Sequence, residues 1–138
     1  MGVSGSSAAR SHLRLAEGLT KTANVGDAPS EYDVRNALSR SYYALFHACR
    51  GYLWARNVAE ANAIGKRHGT LHAEMERRMG KSFGRFLRDA YELRRSSDYE
   101  PAWSVPPLYV CVDRLKQARR QCYFVLVTAK NLISQAQG

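Results

Sequence analysis

Five side chains suited to phosphate chemistry recur at helical spacing in one stretch: Asn36, Arg40, Tyr43, His47 and Arg50. Steps of three and four residues set all five along one side of a helix. Arg40 and His47 stand about 10.5 Å apart along the axis at about 1.5 Å per residue, so two long side chains there can converge on one phosphodiester. An imidazole moves protons near neutral pH, and a guanidinium stabilises the negative charge that develops on phosphorus. The competing reading makes His47 a buried histidine bonded to a neighbouring helix and Tyr43 a packing residue. Tyr42 and Phe46, which interrupt the stripe, are assigned to the core.

A second candidate is Arg94-Arg95-Ser96-Ser97-Asp98-Tyr99. It falls where a helix gives way to a proline-rich loop, the kind of place where functional residues gather. The plain alternative is a surface ion pair between an arginine and Asp98, worth little in water. His68 and His72 lie four apart and share a helical face, but no other ligand cluster completes a metal site. They read as ordinary surface or cap histidines, and neither metal nor cofactor is expected. Cys49, Cys111 and Cys122 form no close pair and sit among apolar neighbours, as reduced core thiols do.

The elements that must carry these residues are helices. Leu13, Leu15, Ala16 and Leu19 mark an amphipathic helix over residues 7–24, broken by Gly26, Asp27 and Pro29. Ser30, with an acid three residues on at Asp33, predicts an N-cap and a second helix running to about Asn57, with Gly51 its weak point. Between Val34 and Ala59 that helix has no Asp, Glu or Lys, so it is either mostly buried or dedicated to a partner. Val34, Leu38, Leu45, Cys49 and Leu53 supply its core stripe. Asn62–Gly69 reads as a loop, Thr70–Met79 as a short helix closed by Gly80, and Ser82–Ser96 as a helix with Phe83, Phe86, Leu87, Ala90 and Leu93 inward. Ser97–Pro107 is expected to be irregular. A last helix then runs from Pro106 or Pro107 to about Gln135, with Leu108, Val112, Leu115, Ala118, Cys122, Val125 and Ala129 inward. The sum is an all-α, up-and-down bundle of four main helices plus one short helix. One domain fills residues 1–138, with 1–6 flexible.

The net charge is +9, carried by sixteen Arg and five Lys. That excess attracts polyanions, RNA or DNA above all, and a guanidinium holds a phosphate with two parallel hydrogen bonds. No apolar run is long enough to span a bilayer, and residues 1–7 lack the apolar stretch of a secretion signal. A cytoplasmic protein without a membrane partner is the expectation.

The quoted residues resemble a family. Asn36-Ala-Leu-Ser39-Arg40-Ser-Tyr42-Tyr43-Ala-Leu-Phe46-His47-Ala is similar to the helix-two signature of small prokaryotic HEPN proteins, N-x-x-S/A-R-x-Y-Y-A-x-F-H. Lys66-Arg67-His68 resembles their K-x-H segment, and Arg94 to Tyr99 resembles R-x-x-A/S-D-Y. The resemblance spans about Ser30 to Tyr99 and implies a four- or five-helix bundle that commonly forms homodimers. It also implies metal-independent ribonucleases acting as toxins, often encoded beside a minimal nucleotidyltransferase antitoxin. Their usual catalytic pattern is R-x(4–6)-H on a late helix. Here the late position reads Arg94-x4-Tyr99, whereas Arg40 and His47 satisfy R-x6-H on the second helix.

The candidate set is therefore Arg40, His47, Arg94 and Asp98 for catalysis, with Asn36, Tyr43, Arg50, Arg95 and Tyr99 contacting RNA or a nucleotide. In the alternative reading the same residues serve a non-catalytic subunit that binds RNA, a nucleotide or a nucleotidyltransferase partner.

Overall fold

Ser30 starts its helix as the sequence predicts. Its hydroxyl accepts from the Asp33 backbone N–H, and the Asp33 carboxylate accepts from the Ser30 N–H. This reciprocal cap satisfies two backbone donors that a helix start otherwise leaves open. The computed structural model describes residues 5–23, 30–99 and 108–137. Within them the regular elements are α1 (Gly5–Thr22), α2 (Glu31–Ala55), α3 (Ala61–Gly65), α4 (His68–Met79), α5 (Lys81–Tyr99) and α6 (Leu108–Gln137).

The acid-free helix α2 is central. It packs against α1, α5 and α6 and meets α3 and α4 near its C-terminal half. Its predicted core residues Val34, Leu38, Leu45, Cys49 and Leu53 are all buried, as are Tyr42 and Phe46. Residue pairing gives the directions. Ala9 lies by Gly51 and His12 by His47, so α1 runs antiparallel to α2. Arg35 meets Ser97 and Ser39 meets Asp98, so α5 is antiparallel too. Glu17 bonds Lys130 and Thr20 meets Cys122, so α6 opposes α1. The four long helices thus alternate up and down, and α4 lies along α5 through the Glu76–Arg88 ion pair at 2.6 Å.

Four expectations change. Residues 61–65 form a short helix where a loop is predicted; Ala61 turns inward and Ile64 packs on the core. The polar run after Ser96 stays helical through Tyr99. Ser97 Oγ donates back to the Leu93 carbonyl, and Asp98 pairs with Arg94 one turn earlier, so local bonds hold residues that otherwise favour turns. Leu15 is 52% exposed, because α1 buries a narrow stripe of Ala9, Leu13 and Ala16. On α6 the inward residue of the first turns is Cys111, with Val112 half-buried. Residues 1–4 and the predicted breaks at Gly26–Pro29 and Pro101–Pro107 lie outside the described residues, as does the side chain of Leu108. Cys49, Cys111 and Cys122 are buried thiols in no disulfide among the described residues, as predicted.

Gly51 is a notch in the helix surface. A Cβ there would stand 2.7 Å from Leu13 Cδ2 and 3.2 Å from the Ala9 carbonyl oxygen. The second atom is backbone and cannot step aside, so α1 owes its close approach to the missing side chain. Gly51→Val is expected to destabilise the bundle by about 1–3 kcal/mol, the cost of overpacking a core. A urea midpoint unchanged from wild type would show that the helices have slack. Gly80, at φ +101, closes α4 in a backbone conformation that favours glycine.

Candidate functional site

The polar stripe of α2 lies along the seam between α1 on one side and α3, α4 and α5 on the other. Its residues meet different fates. Asn36 and Arg40 are exposed, and Arg40 overhangs a shallow groove with Ser11, Arg14, Leu15 and Gly18 of α1. Tyr43 is half-buried, with the Arg94 guanidinium 5.2 Å above its ring.

His47 is half-buried, and its Nδ1 stands 3.2 Å from His12 Nδ1 on α1. The two ring planes are 18° apart, with centroids 5.4 Å apart. Arg50 lies one turn on, 5.7 Å from the Phe46 ring, with its side chain against Gly65. No carboxylate pairs with Arg50 among the described residues, and its Nε is buried without a partner there. Burial holds the Arg50 pKa below its usual value. Burial, then Arg50 and His47, lower the His12 pKa to about 4. The His47 value falls for the same reasons, burial first and Arg50 second. Both rings are therefore neutral at pH 7. His47 is bonded to a neighbouring helix, as the competing reading has it, but it is half-buried rather than buried.

On the far side of Phe46 is a second cluster, and here the sequence reading is corrected. His68 and His72 are not surface or cap residues. The Tyr42 hydroxyl sits 2.7 Å from His68 Nδ1 and 2.8 Å from His72 Nε2, and His72 is only 3% exposed. A hydroxyl can donate to one ring while accepting from the other, so both contacts are satisfied with neutral imidazoles. Burial, then His68 and Arg88, bring the His72 pKa to about 4; burial and then Arg94 lower that of His68. Burial pushes the Tyr42 hydroxyl well above the ordinary phenol range, so it stays protonated. Tyr91 closes the cluster, its ring 4.5 Å from that of His68.

Arg94 caps this aromatic group. Its guanidinium lies 5.9, 5.2 and 5.2 Å from the Tyr42, Tyr43 and Tyr91 rings and donates to Asp98 at 3.1 Å. Asp98 also accepts from Ser39 Oγ at 3.4 Å. Arg94 and Asp98 do pair, as the plain alternative has it, but not as a surface pair: the arginine is buried and only the acid is partly open. Arg95 is exposed, 3.9 Å from Glu92. The side chain of Tyr99 lies outside the described residues.

The structure therefore joins Arg94, Asp98 and Tyr43, and separately joins His47 and Arg50. The imidazole beside Arg94 is His68. Sequence reasoning missed His12, His68, His72 and Tyr91. Of these, only the histidine pair carried a signal, since a buried tyrosine hydroxyl must find a partner and two imidazoles one turn apart offered one. Among the described residues, no three His, Cys, Asp or Glu side chains converge as metal ligands.

No family model matches the chain. It is, however, 31% identical over 99 residues to a protein of the archaeon Methanocaldococcus jannaschii named "Putative toxin MJ0605". The match covers 63% of this chain and 72% of that protein.

Proposed function

Because the chain belongs to the same family as this archaeal toxin-named protein, we propose that it is a toxin-like protein that cleaves RNA phosphodiesters without a metal ion. The observation that carries this reading is the half-open face of α2. There His47 and the guanidinium of Arg50 stand together, and among the described residues no carboxylate pairs with either. A phosphate is the natural counterion for such a face, and a neutral imidazole is the natural group to take a proton from a 2′-hydroxyl. Arg50 holds the reacting phosphate and Arg40, about 15 Å away along the axis at about 1.5 Å per residue, a neighbouring one; His47 moves the proton. Asn36, Tyr43 and Arg95 are assigned to contacts with the flanking RNA. Arg94 and Asp98 set the α5 edge of these contacts through Tyr43. The resemblance to HEPN ribonucleases supports the same chemistry, together with a homodimer.

The test is cleavage of labelled single-stranded RNA and tRNA by purified protein in EDTA. His47→Ala is expected to lower the rate by about 10²–10⁴-fold, the usual worth of a general acid or base, while leaving helicity intact. Growth arrest on induced expression should be relieved by the same substitution. A His47→Ala protein that cleaves as wild type would remove the assignment.

The second reading, a non-catalytic subunit bound to a nucleotidyltransferase partner, is favoured by a different face. Tyr123 and Phe124 on α6 are 69% and 56% exposed, neighbouring aromatic surface that a partner would cover. Tight association with the product of a neighbouring gene, and no cleavage by the free protein, would favour it.

A further inference from the structure

His12 belongs to no sequence pattern, yet it makes the shortest polar contact of His47. We propose that His12 and His47 act as one catalytic unit, a base and an acid joined through their Nδ1 atoms, rather than His47 acting alone. The proposal rests on the reading of the α2 face as a ribonuclease site and names a further catalytic residue within it.

The geometry fixes complementary roles. Two Nδ1 atoms at 3.2 Å form a hydrogen bond only if one ring carries the Nδ1 proton and the other offers a lone pair. In neutral imidazoles the first ring then has a bare Nε2 and the second an Nε2–H. Neither Nε2 has a hydrogen-bond partner among the described residues. The pair thus presents one acceptor and one donor, with Arg50 beside them as the cation.

Take His12 as the Nδ1 donor. Its bare Nε2 accepts the proton of the RNA 2′-hydroxyl as O2′ forms a bond to phosphorus. The bond from phosphorus to O5′ breaks, and O5′ takes the Nε2 proton of His47. The Nδ1 proton of His12 passes to His47 Nδ1. One proton has moved from O2′ to O5′, both rings are again neutral, and the product ends in a 2′,3′-cyclic phosphate. The two histidines have exchanged tautomers; before the next turnover His12 Nε2 gives its proton to water, His47 Nε2 takes one from water, and the Nδ1 proton returns to His12, which restores the starting pair.

A mechanism with separate histidines needs one ring protonated and one bare, and gives a bell-shaped pH profile. The joined pair needs neither ring charged. The charged and titratable groups acting on it are Arg50 of α2 and the two imidazoles themselves. From α3 it is Gly65, a residue without charge, that abuts the Arg50 side chain. Arg50 and burial both favour the neutral state, so the rate should stay level through neutral pH. It should decline only toward the range near 4 where His12 titrates.

The experiment measures cleavage of a labelled RNA oligonucleotide in EDTA across pH, for wild type, His12→Ala, His12→Asn, His47→Ala and the double alanine variant. Circular dichroism checks the fold of each. Each single variant is expected to lose at least about 10²-fold, and the double variant no more than either, as for residues acting as a unit. If His12→Ala fails to fold, His12→Asn carries the test, since an amide keeps a polar partner for His47 but cannot relay the proton.

A level profile in wild type and loss in His12→Asn support the unit. A His12→Asn protein that cleaves at the wild-type rate, or a bell-shaped wild-type profile, overturns the proposal and leaves the ribonuclease reading standing. No cleavage by wild type overturns both.

Discussion

Exchanging Arg94 for lysine is expected to destabilise the protein nearly as much as removing the side chain, although the charge is kept. The guanidinium is buried, spread over three tyrosine rings at 5.2–5.9 Å and bonded to Asp98. A flat, weakly hydrated cation suits that site; a compact ammonium holds its water more tightly and cannot lie on several ring faces while reaching the acid. A desolvated cation over an aromatic face is worth about 2 kcal/mol, and removing one partner of a buried pair costs about 3–5 kcal/mol. Asp98 is partly open to solvent and recovers some hydration, which moderates the loss. Both Arg94→Lys and Arg94→Ala should therefore lose about 2–4 kcal/mol, read as a lower urea midpoint at unchanged slope. A lysine variant with the wild-type midpoint would show that charge alone suffices, and that the ring contacts contribute nothing.

Acidification should unfold the bundle in a range where most proteins are still stable. Four imidazoles sit in places that favour the neutral form, two of them, His12 and His72, with values near 4. In the unfolded chain each titrates near about 6.5. Above that pH neither state takes up the proton and stability is full. As the pH falls from about 6.5 toward 4, the unfolded chain gains protons that the folded one refuses, so stability drops. His72, almost wholly buried, contributes about 3 kcal/mol of that loss at most. His12 adds a smaller amount because its ring is partly hydrated. Against a typical total of about 5–15 kcal/mol, the sum is a large fraction. Melting temperatures followed by circular dichroism should fall steeply between pH 6.5 and 4.5 and be level above 7. His72→Gln, which can still meet the Tyr42 hydroxyl but does not titrate, should flatten part of that slope. A wild-type melting temperature that is constant down to pH 4.5 would refute this account of the buried histidines.

Much of the architecture is legible in the residues because it rests on local rules. The Ser30–Asp33 cap, the α2 core stripe and the all-helical alternation follow from spacing and capping chemistry, and they are as the sequence predicts. What escapes is what depends on a distant partner. His12 meets His47 across 35 positions, and nothing in the neighbourhood of either residue encodes the other. Tyr42 is legible as a buried ring, but which side chains satisfy its hydroxyl depends on how α4 packs on α2. The helical stretch from Ser97 to Tyr99 escaped for the opposite reason. Composition there favours a turn, and side-chain bonds to Leu93 and Arg94 override it.

The central position of α2 has a consequence for how the protein exposes its amides to solvent. Helices α1, α5 and α6 all cover it, so its mid-helix N–H groups become accessible to deuterium only when the whole bundle opens. Helix α3, five residues long, can open locally at lower cost. Arg40, His47 and Arg50 thus ride on the segment that exchanges last.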